Sequence, residues 1–157
     1  MPSSLEERRF AATTQHSLVG NSAGALLVMP LEHRRTFLDA LASLTIPVYA
    51  VGSCLEALQV LPALESLELV ITDASLCDGN WRDVLEAVAD CGLHASVVVH
   101  SPGANETLWS EVVWRGAYDL LVQPCEPEEV CHSVEGALRA ARCAPVPVRG
   151  GHQVACP

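Results

Sequence analysis

The sequence predicts an α/β protein: a doubly wound sheet of five parallel strands, each followed by a helix. Three observations carry this. Short runs rich in Val, Ile, Leu and Ala recur along the chain, and each gives way to a stretch with apolar residues at helical spacing. The runs are continuous rather than alternating, as expected of strands buried on both faces. The connections are a few residues long, so the crossovers between strands are the helices themselves.

The first strand falls on Gly24–Met29 and stops at Pro30, which cannot donate to a ladder. Phe37, Leu38, Leu41 and Leu44 set a helix over 32–44. Residues 46–50 form a second strand, placed at an edge by Pro47. Ser53 and Glu56 have the spacing of a capping box for a helix that Pro62 ends. The third strand is Leu67–Asp73. Asn80 or Asp78 caps the next helix, with Val84, Leu85 and Val88 facing inward. Residues 95–100 form the fourth strand. The following helix, 106–115, carries Leu108, Val112 and Val113 and ends on Gly116 as a left-handed cap. Tyr118–Val122 is the fifth strand. Pro127 opens a last helix to about Arg142, with Glu128 and Glu129 at its positive end and Val130, Val134 and Leu138 inward. The simplest architecture is a flavodoxin-like sheet over residues 23–142, with an N-terminal arm (1–22) and a C-terminal tail (143–157).

Composition narrows the function. Of 157 residues half are apolar, and the mean hydropathy is +0.27, enough for a substantial core. No apolar run is long enough to cross a bilayer, and the N-terminus lacks the order of a signal peptide. The expected location is cytoplasmic. There are 19 acids against nine bases, a net charge of -10, and every base is arginine. Such a chain does not attract a phosphate backbone, so no nucleic-acid partner is expected. The absence of lysine excludes Schiff-base chemistry and a Walker-type loop. The seven cysteines contain no Cys-x-x-Cys pair and read as buried, reduced thiols. Cys125, Cys131 and His132 match no zinc spacing.

The third strand ends on Asp73, and in an open α/β sheet ligands gather beyond the carboxyl ends of the strands. Val70-Ile71-Thr72-Asp73-Ala74-Ser75-Leu76-Cys77-Asp78-Gly79 resembles the third strand and phosphoacceptor loop of response-regulator receiver domains, with Cys77 in place of the usual proline. Val97-Val98-Val99-His100-Ser101 resembles the family's fourth strand with its terminal Thr or Ser. Gly116-Ala117-Tyr118-Asp119-Leu120-Leu121-Val122-Gln123-Pro124 resembles its fifth. The resemblance spans nearly all of 24–142. It implies a strand order 2-1-3-4-5, Asp73 at the phosphoacceptor position, and Ser101, Gln123 and Pro124 at the phosphate-contact positions. It also implies a cis bond before Pro124.

The departures define the expected function. The acidic residues that hold Mg2+ in the family fall on Met29, Pro30 and Leu31, which offer no hard side-chain oxygen. The family lysine is Gln123, and its switch aromatic is Leu120. Phosphoryl transfer to a carboxylate needs cationic stabilisation, which this chain lacks. Asp73, Ser101, Gln123 and Pro124 are therefore expected to be vestigial, Mg2+ binding weak or absent, and no residue catalytic. Asp73 then serves as a relic of the fold, His100 as a satisfied strand-end histidine. Gln123 reaches Asp73 or Ser101 by a neutral hydrogen bond, and Ser101 binds the loop after its strand. The expected function is a non-enzymatic, phosphorylation-independent interaction module in phosphorelay signalling. Its partner is a sensor kinase, a regulator, an effector or a second copy. In the family that contact uses the fourth helix, fifth strand and fifth helix; here Trp109 and Trp114 serve the interface or the core. Two alternatives stand beside it: phosphorylation at Asp73 by an unusual route, and a small-molecule sensor using an apolar cleft around Met29, Pro30 and Leu31, anchored by Asp73, Ser101 and His100.

Overall fold

A computed structural model of the chain describes residues 24–64, 66–103 and 106–143. The arm, and the tail beyond Cys143, lie outside them. The elements in order are β1 (Gly24–Val28), α1 (Leu31–Ala42), β2 (Val48–Val51), α2 (Cys54–Val60), β3 (Leu67–Asp73), β4 (Ser75–Leu76), β5 (Gly79–Asn80), α3 (Trp81–Asp90), β6 (Ser96–Ser101), α4 (Glu106–Trp114), β7 (Asp119–Val122) and α5 (Pro127–Cys143). One 3-10 turn, Leu61–Ala63, follows α2 and contains Pro62. The main sheet is parallel with order β2-β1-β3-β6-β7. That is the expected 2-1-3-4-5 once β4 and β5 are set aside. These two form a separate two-residue antiparallel ladder that sequence periodicity does not reveal.

The continuous apolar runs are strands covered on both faces. Leu26, Val28, Val70, Val97 and Val99 pack with Trp81, Val84, Val88 and Val112 beneath α3 and α4. Their neighbours along the same strands, Ala25, Leu27, Leu69, Ile71 and Val98, pack with Phe37, Leu41, Val130, Val134 and Leu138 beneath α1 and α5. Alternate residues thus feed opposite faces. β2 is one of the two edge strands, and Pro47 precedes its ladder, leaving its carbonyl to accept from the Ala25 N–H.

Several local expectations need correction. Ser53 accepts from the Glu56 N–H, but the Glu56 carboxylate takes the Ser53 hydroxyl instead of closing a capping box. The first two N–H groups of α2 go to Asp78, which receives Cys54 N–H at 2.8 Å and Leu55 N–H at 2.9 Å. Asp78 therefore caps α2, and Asn80 caps α3 in a full capping box with Asp83. This tether draws the β4–β5 turn against α2. At Gly79 a Cβ would lie 2.6 Å from Asp83 Oδ2 and 2.8 Å from Cys54 Sγ, so no larger residue fits without displacement. In α3 the buried positions are Trp81, Val84, Ala87 and Val88, with Leu85 only partly covered. In α4 Val112 is buried, whereas Val113 is 52% exposed. Gly116 closes α4 at φ +91°, its N–H and that of Ala117 bonding back to Val113 and Val112.

The three tryptophans divide between core and surface. Trp81 is 1% exposed and Trp114 is 85% exposed. Trp81→Ala is expected to cost about 3–5 kcal/mol, and Trp114→Ala no more than about 0.5 kcal/mol, measured by urea unfolding followed by circular dichroism. Because Asp78 accepts two backbone N–H groups, Leu55 first, its carboxyl is held below the usual carboxylate range. A depressed folded pKa contributes stability that is complete above about pH 4 and is lost as pH falls through the folded value. Asp78→Ala should therefore melt below the wild type at pH 7. The gap should narrow as pH falls below about 4 and Asp78 takes up its proton, in a series of thermal melts.

Candidate functional site at the carboxyl edge of the sheet

Strand alternation decides which side chains meet beyond the sheet's carboxyl edge. Counting in steps of two from Leu27, Ile71, Val98 and Leu121, all in the cluster beneath α1 and α5, leads to Met29, Asp73, His100 and Gln123. Asp73 and His100 are direct register partners on β3 and β6. Ser101 has the opposite parity, shared with Val97 and Val99.

Asp73 is 4% exposed, yet both its oxygens are engaged. His100 Nδ1–H donates to Oδ1 at 2.7 Å and His33 Nδ1–H to Oδ2 at 2.6 Å. On its other side His100 Nε2 lies 2.9 Å from the Gln123 side-chain nitrogen. The pattern is that of the neutral Nδ1–H tautomer of His100, whose free nitrogen accepts from the Gln123 amide. The chain of bonds is closed: Gln123 to His100, His100 to Asp73, His33 to Asp73. No side-chain polar atom buried among the described residues lacks a partner.

His33 is placed by the start of α1. Pro30 is its N-cap, with extended backbone, and the His33 N–H bonds to the Pro30 carbonyl. The buried Arg34 donates from Nε to the Met29 carbonyl at 3.0 Å, fastening the first turn over the end of β1. His33 is thereby held above the sheet edge, its ring edge-on to His100 at 5.5 Å, while Phe37 packs edge-on to His100 from the next turn. The His33 side chain is 37% exposed and that of His100 only 1%, so one imidazole faces solvent and the other the core.

The remaining residues singled out in the sequence take these places. Met29 is fully buried in the core and Leu31 is 54% exposed. Ser101 donates its hydroxyl to the Gly103 carbonyl at 2.9 Å. Gln123 reaches neither Asp73 nor Ser101 by its side chain, because His100 stands between; its backbone N–H bonds to the Ser101 carbonyl. The Gln123–Pro124 bond is cis. Leu120 is buried beneath α4. Cys125 and Cys131 pack against the core near α5, and burial pushes the Cys125 thiol up. Among the described residues, the group with converging metal-type donors is His33, Asp73 and His100. The sequence reading missed His33. Its signal was position: first turn of the helix that follows β1, beside the acidic-pair positions.

The residues present do not fit Mg2+, the ion that the receiver resemblance implies. Such an ion takes carboxylates and water, and here the one carboxylate at the site already accepts from two imidazoles.

No family model matches the sequence, and no curated protein matches it. Solved structures do. The signal receiver domain of a Vibrio parahaemolyticus protein described as a Luxo repressor superposes with a TM-score of 0.69 at 20% identity, covering 77% of this chain and 92% of that one. The fold is that of a receiver domain. The receiver domain of an HD domain-containing protein from Pseudomonas fluorescens Pf-5 gives 0.68 at 18% identity, covering 78% and 98%. A response-regulator receiver domain from Clostridium thermocellum gives 0.67 at 16%, covering 77% and 97%. Within this receiver fold, no helix of the described residues is long and apolar enough to cross a membrane.

Removing the Asp73 carboxylate leaves the His100 Nδ1–H buried without an acceptor. Asp73→Ala is expected to lower stability by about 1–3 kcal/mol, and His33→Ala by less, since His33 reaches water. Denaturant midpoints of the two variants check the order.

Proposed function

We propose that this chain is a signalling module on the receiver fold that works by protein contact without phosphorylation at Asp73. The observation that carries the reading is the closed hydrogen-bond set around Asp73. A phosphoacceptor needs a carboxylate oxygen free to attack and cations to take up charge on the phosphoryl oxygens. Here both oxygens accept from imidazoles, Met29, Pro30 and Leu31 stand where acidic residues would hold an ion, and the chain has no lysine.

The surface that remains for function is the α4–β7–α5 face. Trp109, Val113, Trp114 and Tyr118 are all exposed there, and tryptophan and tyrosine are over-represented among residues that dominate binding energy. α4 is itself tied to α3 by Arg82, which donates to both oxygens of Glu111 and, with Arg115, holds the Glu111 carboxyl down to about 2. The partner is a cytoplasmic protein of the signalling pathway or a second copy of this chain. The exposed tryptophans support an interface over the core role also open to them in the sequence. Asp73, Ser101, Gln123 and Pro124 are read as vestiges of phosphoacceptor chemistry, and no enzymatic step is assigned.

Incubation with acetyl phosphate and Mg2+ is expected to give no phosphate adduct by intact-mass spectrometry. An adduct that Asp73→Asn abolishes would overturn the reading in favour of phosphorylation by an unusual route.

A further inference from the structure

We propose that His33, Asp73 and His100 bind a divalent transition-metal ion, zinc above all, through the two Nδ1 atoms and one carboxylate oxygen. The donor atoms of the three residues lie within 4.8 Å of one another. Two imidazoles and a carboxylate are the ligand set of borderline ions such as Zn2+ and Co2+, as oxygen clusters are of Mg2+. Replacing acids by Met29, Pro30 and Leu31 while bringing in His33 therefore changes the class of ion the edge can hold.

The geometry requires a small rearrangement. Metal–ligand bonds of about 2.0–2.1 Å in a tetrahedron separate ligand atoms by about 3.4 Å. His33 Nδ1 now bonds Oδ2 at 2.6 Å and His100 Nδ1 bonds Oδ1 at 2.7 Å; these hydrogen bonds must open by less than about 1 Å, and the donor atoms, within 4.8 Å of one another, must gather about one carboxylate oxygen. His33 can supply the movement, because it sits on the first turn of α1 with a third of its side chain exposed. The same opening admits the ion and leaves a fourth position to water. His100 and Asp73 form the fixed, buried side.

Proton placement identifies a fourth participant. Each imidazole must present a lone pair at Nδ1, so its single proton moves from Nδ1 to Nε2. For His33, Nε2–H is met by solvent. For His100, 1% exposed, an acceptor must be at hand, and the neighbour of Nε2 is Gln123. An amide turned over presents its oxygen where its nitrogen stood. Gln123 can thus donate to His100 in the ion-free state and accept from it in the bound state. A lysine at this position could only donate, and would hold His100 in the tautomer that cannot bind.

The inference is independent of the proposed function, since a metal complex and a phosphoryl adduct are separate readouts. The test is titration of the full chain with Co2+, followed by displacement with Zn2+. One Co2+ per chain is expected, with visible absorption of a tetrahedral nitrogen and oxygen site, no thiolate charge-transfer band, and indifference to excess Mg2+. His33→Ala and Gln123→Lys should each weaken binding about tenfold or more, while Gln123→Glu retains it. Thermal melts of the ion-free variants confirm that each is folded. Absence of binding, a thiolate band from the cysteines, or equal affinity in His33→Ala overturns the site; equal affinity in Gln123→Lys overturns the role of Gln123.

Discussion

A carboxylate at the end of a strand buried on both faces must find donors, because an unpaired charge there is far more costly than the strand's own pairing can offset. The carboxyl edge of this sheet is arranged around that requirement. β3 lies at the centre, between β1 and β6, so Asp73 cannot turn to solvent at a sheet edge. Its oxygens are met by one imidazole from the adjacent strand and one from the helix after β1. The strand register supplies His100, the Pro30 cap and the Arg34 bond supply His33, and β7 supplies Gln123 to complete His100. Asp73 thus links β3, β6 and α1 directly, and His100 joins β7 to them.

Asp73 and Asp78 show how differently two carboxylates five residues apart can be used. Asp73 is buried and satisfied by side chains. Asp78, at the surface, is satisfied by the backbone of another helix and closes the β4–β5 turn onto α2. The two together fix the loop after β3 from both ends, which accounts for its ordered two-residue ladder.

The strands were legible because burial on both faces leaves continuous apolar runs bounded by Pro30, Pro47 and Gly116. The place of Asp73 at the end of β3 was legible from the apolar run that stops on it. Its partners were not. His33 contacts a residue forty positions away, and nothing in helical periodicity points a first-turn histidine at a particular strand. His100 was visible as a residue, but its role follows from parity: the family pattern drew notice to Ser101, which faces the other side. Gln123 was assigned to Asp73 or Ser101, because nothing in the sequence shows that His100 stands beside it. The exposed face of α4 escaped because Leu108, Trp109, Val112, Val113 and Trp114 leave little polar contrast around the helix, so spacing alone could not say which of them faced inward.

The burial of Leu120 bears on how firmly α4 is held against the sheet. A ligand or modification shifts a conformational equilibrium only by the difference in its affinity for two states. In the described residues Leu120 is packed beneath α4, Glu111 is held by Arg82 and Arg115, and Asp73 is enclosed by imidazoles. The α4 face is exposed in this same arrangement, with Trp109, Val113 and Trp114 open to solvent. Of the four side chains in this set, His33 and Gln123 reach solvent, whereas Asp73 and His100 are buried. His33, Asp73, His100 and Gln123 form one continuous hydrogen-bonded chain that ends on β7, a strand that contacts α4.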